Sequence, residues 1–262
     1  MSEFSEVIGA GLERIYQEDW EVQSKFISKI AEMRGTTPSA INLSKAVFIP
    51  NDNYLAHFCG DRVRDYAFDC YFADGTCKWN NYLIFPITNV SGEIVALGGF
   101  NPMIYLNARN TGDYSTNYYQ YSSSKIYKKG SYLYSTPKHL IKSIQEGYLF
   151  LVDGYFDCLS LQDAGFNAAA ILSSTVTPEI LVQLRFVKRV ILASDNDSAG
   201  LKLYYTLKKQ HHGLELLKHN LGKDIDEVLR ADSTGEFKKK LRDIVNHGTI
   251  NIELIRKRTL KM

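Results

Sequence analysis

The chain has 262 residues, a formal net charge of +2, 45% hydrophobic and 23% charged residues. That is the composition of an ordinary globular protein, large enough to bury one sizeable core or two smaller ones. No run approaches the ~18 apolar residues of a membrane span. The four cysteines, Cys59, Cys70, Cys77 and Cys158, form no C-x-x-C pair. That argues against a zinc ribbon or a thiol redox motif and for reduced thiols in a cytoplasmic protein.

Residues 1–35 read as helical. Leu12, Ile15 and Tyr16, then Phe26, Ile27, Ile30 and Met33, recur at three- and four-residue spacing. Arg34-Gly35-Thr36-Thr37-Pro38 ends the stretch, and Thr37-Pro38 has the chemistry of a new helix start. From about 44 to 135 the texture is short β-like runs with turns. The runs 81–87 and 94–97 flank Asn89-Val90-Ser91-Gly92, which predicts a hairpin. An irregular, tyrosine-rich stretch is expected from Tyr105 to Tyr134.

Beyond about residue 136, strands alternate with helices. Strand 148–152 leads to a helix near 156–164, a short strand follows at 168–172, and a helix crosses 178–185. Strand 189–194 then precedes a helix that starts near Ala199. Apolar strands alternating with helical periods predict a parallel sheet covered by helices. His211 and His212 look like an exposed helix terminus. Lys238–Lys240, Arg242 and Arg256-Lys257-Arg258 make a basic helical tail.

Three acidic clusters stand out in this half: Asp153 with Asp157, Asp195 with Asp197, and Asp224 with Asp226. The first two follow buried-looking strands, and open α/β sheets place ligands beyond the carboxyl ends of their strands. Carboxylates gathered there repel one another unless a hard cation lies between them. A divalent-metal site and phosphate chemistry follow. Each cluster also has a plainer structural reading. Asp195 and Asp197 suit a strand-end turn, Asp224 and Asp226 suit a helix start, and Asp157 suits a helix cap.

The motifs Val152-Asp153-Gly154-Tyr155-Phe156-Asp157, Asp195-Asn196-Asp197-Ser198-Ala199-Gly200 and Lys223-Asp224-Ile225-Asp226 resemble the three signatures of a Toprim domain, in the form found in DnaG-type bacterial and phage DNA primases. Upstream, Phe85-Pro86-Ile87 followed by Gly98-Gly99 resembles the first subdomain of the primase core. So do Lys129-Gly130 with Leu133-Tyr134, and Met33-Arg34-Gly35.

The resemblance implies an α/β protein in four parts: a helical segment 1–35, a mixed α+β subdomain 36–137, a Toprim domain 138–232 and a basic helical tail 233–262. It implies a catalytic core without the family's zinc-binding and helicase-binding domains, of a phage or mobile-element kind, working in the (host) cytoplasm. Its activity would be RNA primer synthesis on single-stranded DNA from NTPs, a nucleotidyltransferase reaction with Mg²⁺ or Mn²⁺. A replicative helicase and a separate zinc-binding protein acting in trans are the further partners it leaves room for, and no membrane.

By the same resemblance Asp195 and Asp197 are the principal metal ligands, and Asp224 and Asp226 complete the cluster. Asp157 holds metal or its water shell. Asp153, where the family carries glutamate, joins Asp195 and Asp197 as a catalytic carboxylate. Lys129 and Lys202, with Lys125 and Lys128, contact nucleic acid or nucleotide phosphates, which gives affinity without sequence information. Phe100 departs from the pattern, because an arginine follows the two glycines in the family; Ser173-Ser174 replaces a Gly-Thr turn. The rival readings are a Toprim nuclease, and a former primase kept as a non-catalytic nucleic-acid-binding replication protein.

Overall fold

The computed structural model describes residues 2–66, 69–122, 130–173, 175–194, 198–217 and 225–248. The chain divides into two compact units, Met1–Pro137 and Lys138–Met262.

The first unit opens with α1 (Glu3–Glu18) and α2 (Trp20–Arg34). Ser2 caps α1 by accepting from the Ser5 N–H, and Ile8, Leu12 and Ile15 form its buried stripe. The single helical segment predicted over 1–35 is therefore two helices, broken at Asp19, whose φ of −129° is not helical. The Tyr54 hydroxyl holds the Asp19 carboxylate at that break. Gly35 ends α2 in the left-handed conformation, and the Thr36 N–H closes the last turn on Ala31 O.

Thr37 and Pro38 start α3 (Pro38–Leu43) as N-cap and first residue, followed by β1 (Val47–Ile49) and α4 (Tyr54–Cys59). β1 is the edge strand of its sheet. Buried Gln23 on α2 covers it as a neighbouring strand would, its amide donating to Phe48 O and accepting from the Phe48 N–H, both at 2.8 Å.

The predicted hairpin is β2 (Tyr82–Thr88) and β3 (Ile94–Phe100), paired antiparallel from Leu83↔Phe100 to Thr88↔Ile94. α5 (Pro102–Thr111) and β4 (Tyr119–Tyr121) complete an antiparallel sheet of order β1-β2-β3-β4. The predicted irregular stretch thus contains a helix. Asn101 caps α5 by accepting from the N–H groups of Met103 and Ile104, and Pro102 is its first residue. At Gly99 the sheet passes close under Trp79: a Cβ there would lie 2.7 Å from the indole ring.

The second unit runs α6 (Pro137–Glu146), β5 (Tyr148–Val152), α7 (Tyr155–Asp163), β6 (Ala168–Ala170), α8 (Pro178–Leu184), β7 (Arg189–Leu192), α9 (Ser198–Lys208), β8 (Leu214–Leu216), α10 (Ile225–Ala231) and α11 (Glu236–His247). Its sheet is all parallel, in the order β6-β5-β7-β8. β5 is central and its residues 149–152 are fully buried, as the unbroken apolar run requires of a strand covered on both faces.

Two details depart from the sequence reading. His211 is no exposed terminus: its Nε2 lies 3.1 Å from Val187 O and 3.3 Å from Leu184 O, just beyond α8. The described part of the basic tail is α11, whose Phe237, Leu241 and Ile244 are buried. Arg189 fastens it. Its guanidinium donates to Val245 O (2.6 Å) and Ile244 O (2.8 Å), where a helix C-terminus favours a cation, and to Glu215 (2.6 Å). Among the described residues no helix is long and apolar enough to cross a membrane.

Candidate metal and nucleic-acid site

The site is built where β5 and β7 leave the sheet. The Ala193 N–H donates to Leu151 O (2.8 Å), so the two strands end side by side. Asp153 is part-exposed, one residue beyond β5. Its carbonyl accepts from the Leu172 N–H at 3.2 Å, which carries the β5–β6 ladder past the strand ends. Leu172 takes a left-handed φ of 52° to do so, a conformation that costs a non-glycine residue about 1 kcal/mol.

Gly154 is the N-cap of α7, which places Asp157 in the first turn, where the helix dipole favours a carboxylate. Asp157 is part-exposed, and its Oδ1 accepts the Asp226 N–H at 3.1 Å. Asp226, in the first turn of α10, is entirely buried. Its Oδ1 accepts from the Ser160 hydroxyl at 2.6 Å, and its Oδ2 faces Arg230 Nε at 3.4 Å. The structure therefore brings Asp157 and Asp226 together, with Asp153 at the adjoining strand end. Asp195, Asp197 and Asp224 lie outside the described residues.

An all-carboxylate donor set suits a hard divalent cation, and Asp153 and Asp157 both keep solvent exposure at the carboxyl edge of the sheet. Among the described residues, no three His, Cys, Asp or Glu side chains gather closely enough to hold an ion.

Of the lysines, Lys202 is exposed on α9, whereas Lys125, Lys128 and Lys129 lie outside the described residues. Leu133 and Tyr134 are buried, and the Tyr134 ring meets Phe85 edge-on at 5.9 Å. Those two motif segments therefore pack the core. Phe100 is also fully buried, with Tyr105, Tyr118 and Tyr119 around it at 5.3–6.0 Å.

Two residues escaped the sequence reading. The Arg34 guanidinium lies over Tyr105 at 4.8 Å and over Phe100 at 5.7 Å. A cation thus sits beside position 100 although the side chain there is aromatic. Its position in Met33-Arg34-Gly35 was the available signal. Ser160 was the other, three residues after Asp157 and so on the same face of α7.

Comparison with a solved structure decides the fold. The DnaG primase catalytic domain bound to single-stranded DNA matches with a TM-score of 0.71 at 21% identity, covering 92% of this chain and 78% of that one. This is the DnaG catalytic-core fold. Within it, residues 150–229 match the Toprim-like family, so the parallel sheet and its helices form a Toprim-like domain. Curated relatives named DNA primase include those of Clostridium acetobutylicum, 27% identical over 175 residues, and Thermotoga maritima, 29% over 179. These alignments take in 64% and 63% of this chain but only 28% and 29% of those proteins.

Proposed function

We propose that this chain is a primase core that joins ribonucleotides into short primers on single-stranded DNA. The observation that carries the proposal is the extent of the fold match. It spans 92% of the chain, and so takes in the antiparallel unit as well as the Toprim-like domain. A nuclease built on the Toprim-like domain alone gives no reason for that first unit.

The residues that would hold divalent metal are Asp153, Asp157, Asp195, Asp197, Asp224 and Asp226, the last with a buried carboxylate oxygen, Oδ2, that accepts no hydrogen bond. Bound there, Mg²⁺ or Mn²⁺ would neutralise triphosphate oxygens and favour ionisation of the attacking 3′ hydroxyl. The chain's own contribution is placement. Asp157 is set by the first turn of α7 and by the Asp226 N–H. Asp153 is set by the backbone ladder to Leu172. Exposed Lys202 on α9 suits a phosphate contact, and Lys125, Lys128 and Lys129 are proposed for the same role.

The test is primer synthesis on mixed-sequence single-stranded DNA with labelled NTPs and Mg²⁺ or Mn²⁺, beside a pre-labelled strand that reports cleavage. Short RNA products that vanish in Asp195→Asn/Asp197→Asn are expected. Cleavage without synthesis would overturn the proposal in favour of a nuclease. Silence in both, even after a helicase and a zinc-binding protein are supplied, would overturn it in favour of a non-catalytic binding protein.

A further inference from the structure

Two helices of the Toprim-like domain lie over the same face of its sheet. α8 carries the chain from β6 to β7 and α9 from β7 to β8, and in the order β6-β5-β7-β8 both crossings run in one direction. Right-handed crossovers therefore place both helices on one face, with α7, which crosses the other way, on the opposite face. Their ends adjoin: His211, just beyond α9, has its Nε2 3.3 Å from Leu184 O at the end of α8 and 3.1 Å from Val187 O.

Each helix buries one apolar stripe and exposes another. Ile180 and Leu184 of α8, and Leu203 and Leu207 of α9, are buried. Val182 and Phe186, then Leu201 and Tyr205, are four residues apart and face outward, 51%, 57%, 45% and 63% exposed. Single exposed apolar residues are ordinary on a protein surface. Four large ones, paired at one-turn spacing on two adjoining helices, have the pattern of a surface that receives a helix. The charges around them are of one sign. Arg185, Lys188, Lys202, Lys208 and Lys209 are exposed, and from Pro178 to Gly213 Glu179 is the one acid among the described residues. The Arg185 guanidinium lies over the Phe186 ring at 4.5 Å, so the apolar stripe and the basic rim are in direct contact.

We propose that the α8–α9 face docks an acidic amphipathic helix of a partner protein. The apolar side of that helix covers Val182, Phe186, Leu201 and Tyr205, and its flanking carboxylates face Arg185, Lys188 and the lysines of α9. Charge complementarity selects this occupant. A second copy of the chain would set one basic rim against another, and like charges across an interface oppose it. Nucleic acid stacks on ring faces, and Val182 and Leu201 offer none. The proposal concerns the helix layer alone and stands whether or not the carboxyl edge of the sheet holds metal.

The experiment is fluorescence anisotropy of the full chain with three labelled helical peptides of about five turns, roughly 18 residues. They share one leucine stripe and differ only in its flanks, which carry Glu, Gln or Lys. The Glu peptide should bind at least about tenfold tighter than the Lys peptide, with the Gln peptide between them and the difference shrinking at high salt. Phe186→Ser and Tyr205→Ser each remove an exposed anchor and should weaken the Glu peptide about tenfold, at the melting temperature of the parent. Arg185→Glu should narrow the preference for Glu over Lys flanks. Equal affinity for the Glu and Lys peptides, or parental affinity in both serine variants, would overturn the proposal. So would failure of the Glu peptide to bind at about 1 mM. Labelled oligo-dT, vesicles containing phosphatidylglycerol, and sedimentation velocity of the chain alone are run in parallel. A signal in one of these that the serine variants abolish, without peptide binding, would overturn the proposal and reassign the face to nucleic acid, a lipid surface or self-association.

Discussion

A Cβ built on Gly154 would stand 2.9 Å from Asp157 Oδ2. The glycine of the Asp153-Gly154-Tyr155-Phe156-Asp157 motif is therefore the space into which the carboxylate folds back over the helix start. Its φ of −121° and ψ of 167° are open to any residue, so backbone conformation is not the reason for it.

Gly154→Ala separates geometry from stability. The added methyl must push the Asp157 carboxylate aside, and a shift near 1 Å at a reacting centre costs on the order of 100-fold in rate. The backbone is unstrained, and the alanine restricts the unfolded chain, which by itself stabilises by about 0.4–1 kcal/mol. Primer synthesis should fall about 10- to 100-fold while the melting temperature holds or rises. Parental activity in the variant would refute the steric account.

Phe100→Arg tests whether the family's arginine belongs at this position in this chain. Phe100 is fully buried among three tyrosines, with the Arg34 guanidinium already over the ring at 5.7 Å. A second guanidinium would bring an unpaired charge into the core beside a like charge. Chemical denaturation should show a loss above about 3 kcal/mol. Phe100→Leu, which removes only ring volume, should cost less than half of that. Equal stability of Phe100→Arg and the parent would contradict the packing described.

Much of the Toprim-like half could be read in advance, because β5 and β7 are unbroken apolar runs with helical periods on either side. The first half was harder. The periodicity of α1 and α2 runs through Asp19, and the break is made by a tertiary contact from Tyr54 that no local pattern announces. α5 lies in a tyrosine-rich run, and its signal is local: the N-cap and first-residue pair Asn101-Pro102. The three-residue β8 is too short to show a period. His211 was misjudged for the same kind of reason as Asp19: its partners, Leu184 O and Val187 O, lie 24 residues or more away in sequence. The acidic motifs pointed to the strand ends, yet spacing alone did not separate Asp226, held inside, from Asp157, open to solvent.

His139 on α6 supplies a pH dependence. Burial, and then the nearby Lys142 and Lys138, lower its pKa from the ordinary value near 6.5. The folded chain therefore binds fewer protons than the unfolded chain once pH drops below about 6.5. Stability from this source is fully present above that pH and declines as pH falls towards the folded pKa. Denaturant midpoints measured from pH 7.5 to 5 should fall, and His139→Gln should flatten the part of the slope below 6.5. An unchanged slope in the variant would assign the effect to other groups.

Arg189 ties the last described helix to the sheet, and its removal should release that helix first. The side chain is 23% exposed and its partner Glu215 19%, so the ion pair is well shielded from solvent. The same guanidinium also serves two carbonyls at the end of α11, Ile244 O and Val245 O. Arg189→Ala removes these charge-assisted bonds together and should cost about 2–4 kcal/mol. Arg189→Lys keeps the charge but lacks the planar fork that reaches a carboxylate and two carbonyls at once, so it should recover less than half. Hydrogen exchange should locate the effect, with amides of residues 237–247 losing protection in Arg189→Ala while those of β5 keep theirs. If the exchange of β5 accelerated equally, α11 would be part of the cooperative core of the unit, and not an element clamped onto it.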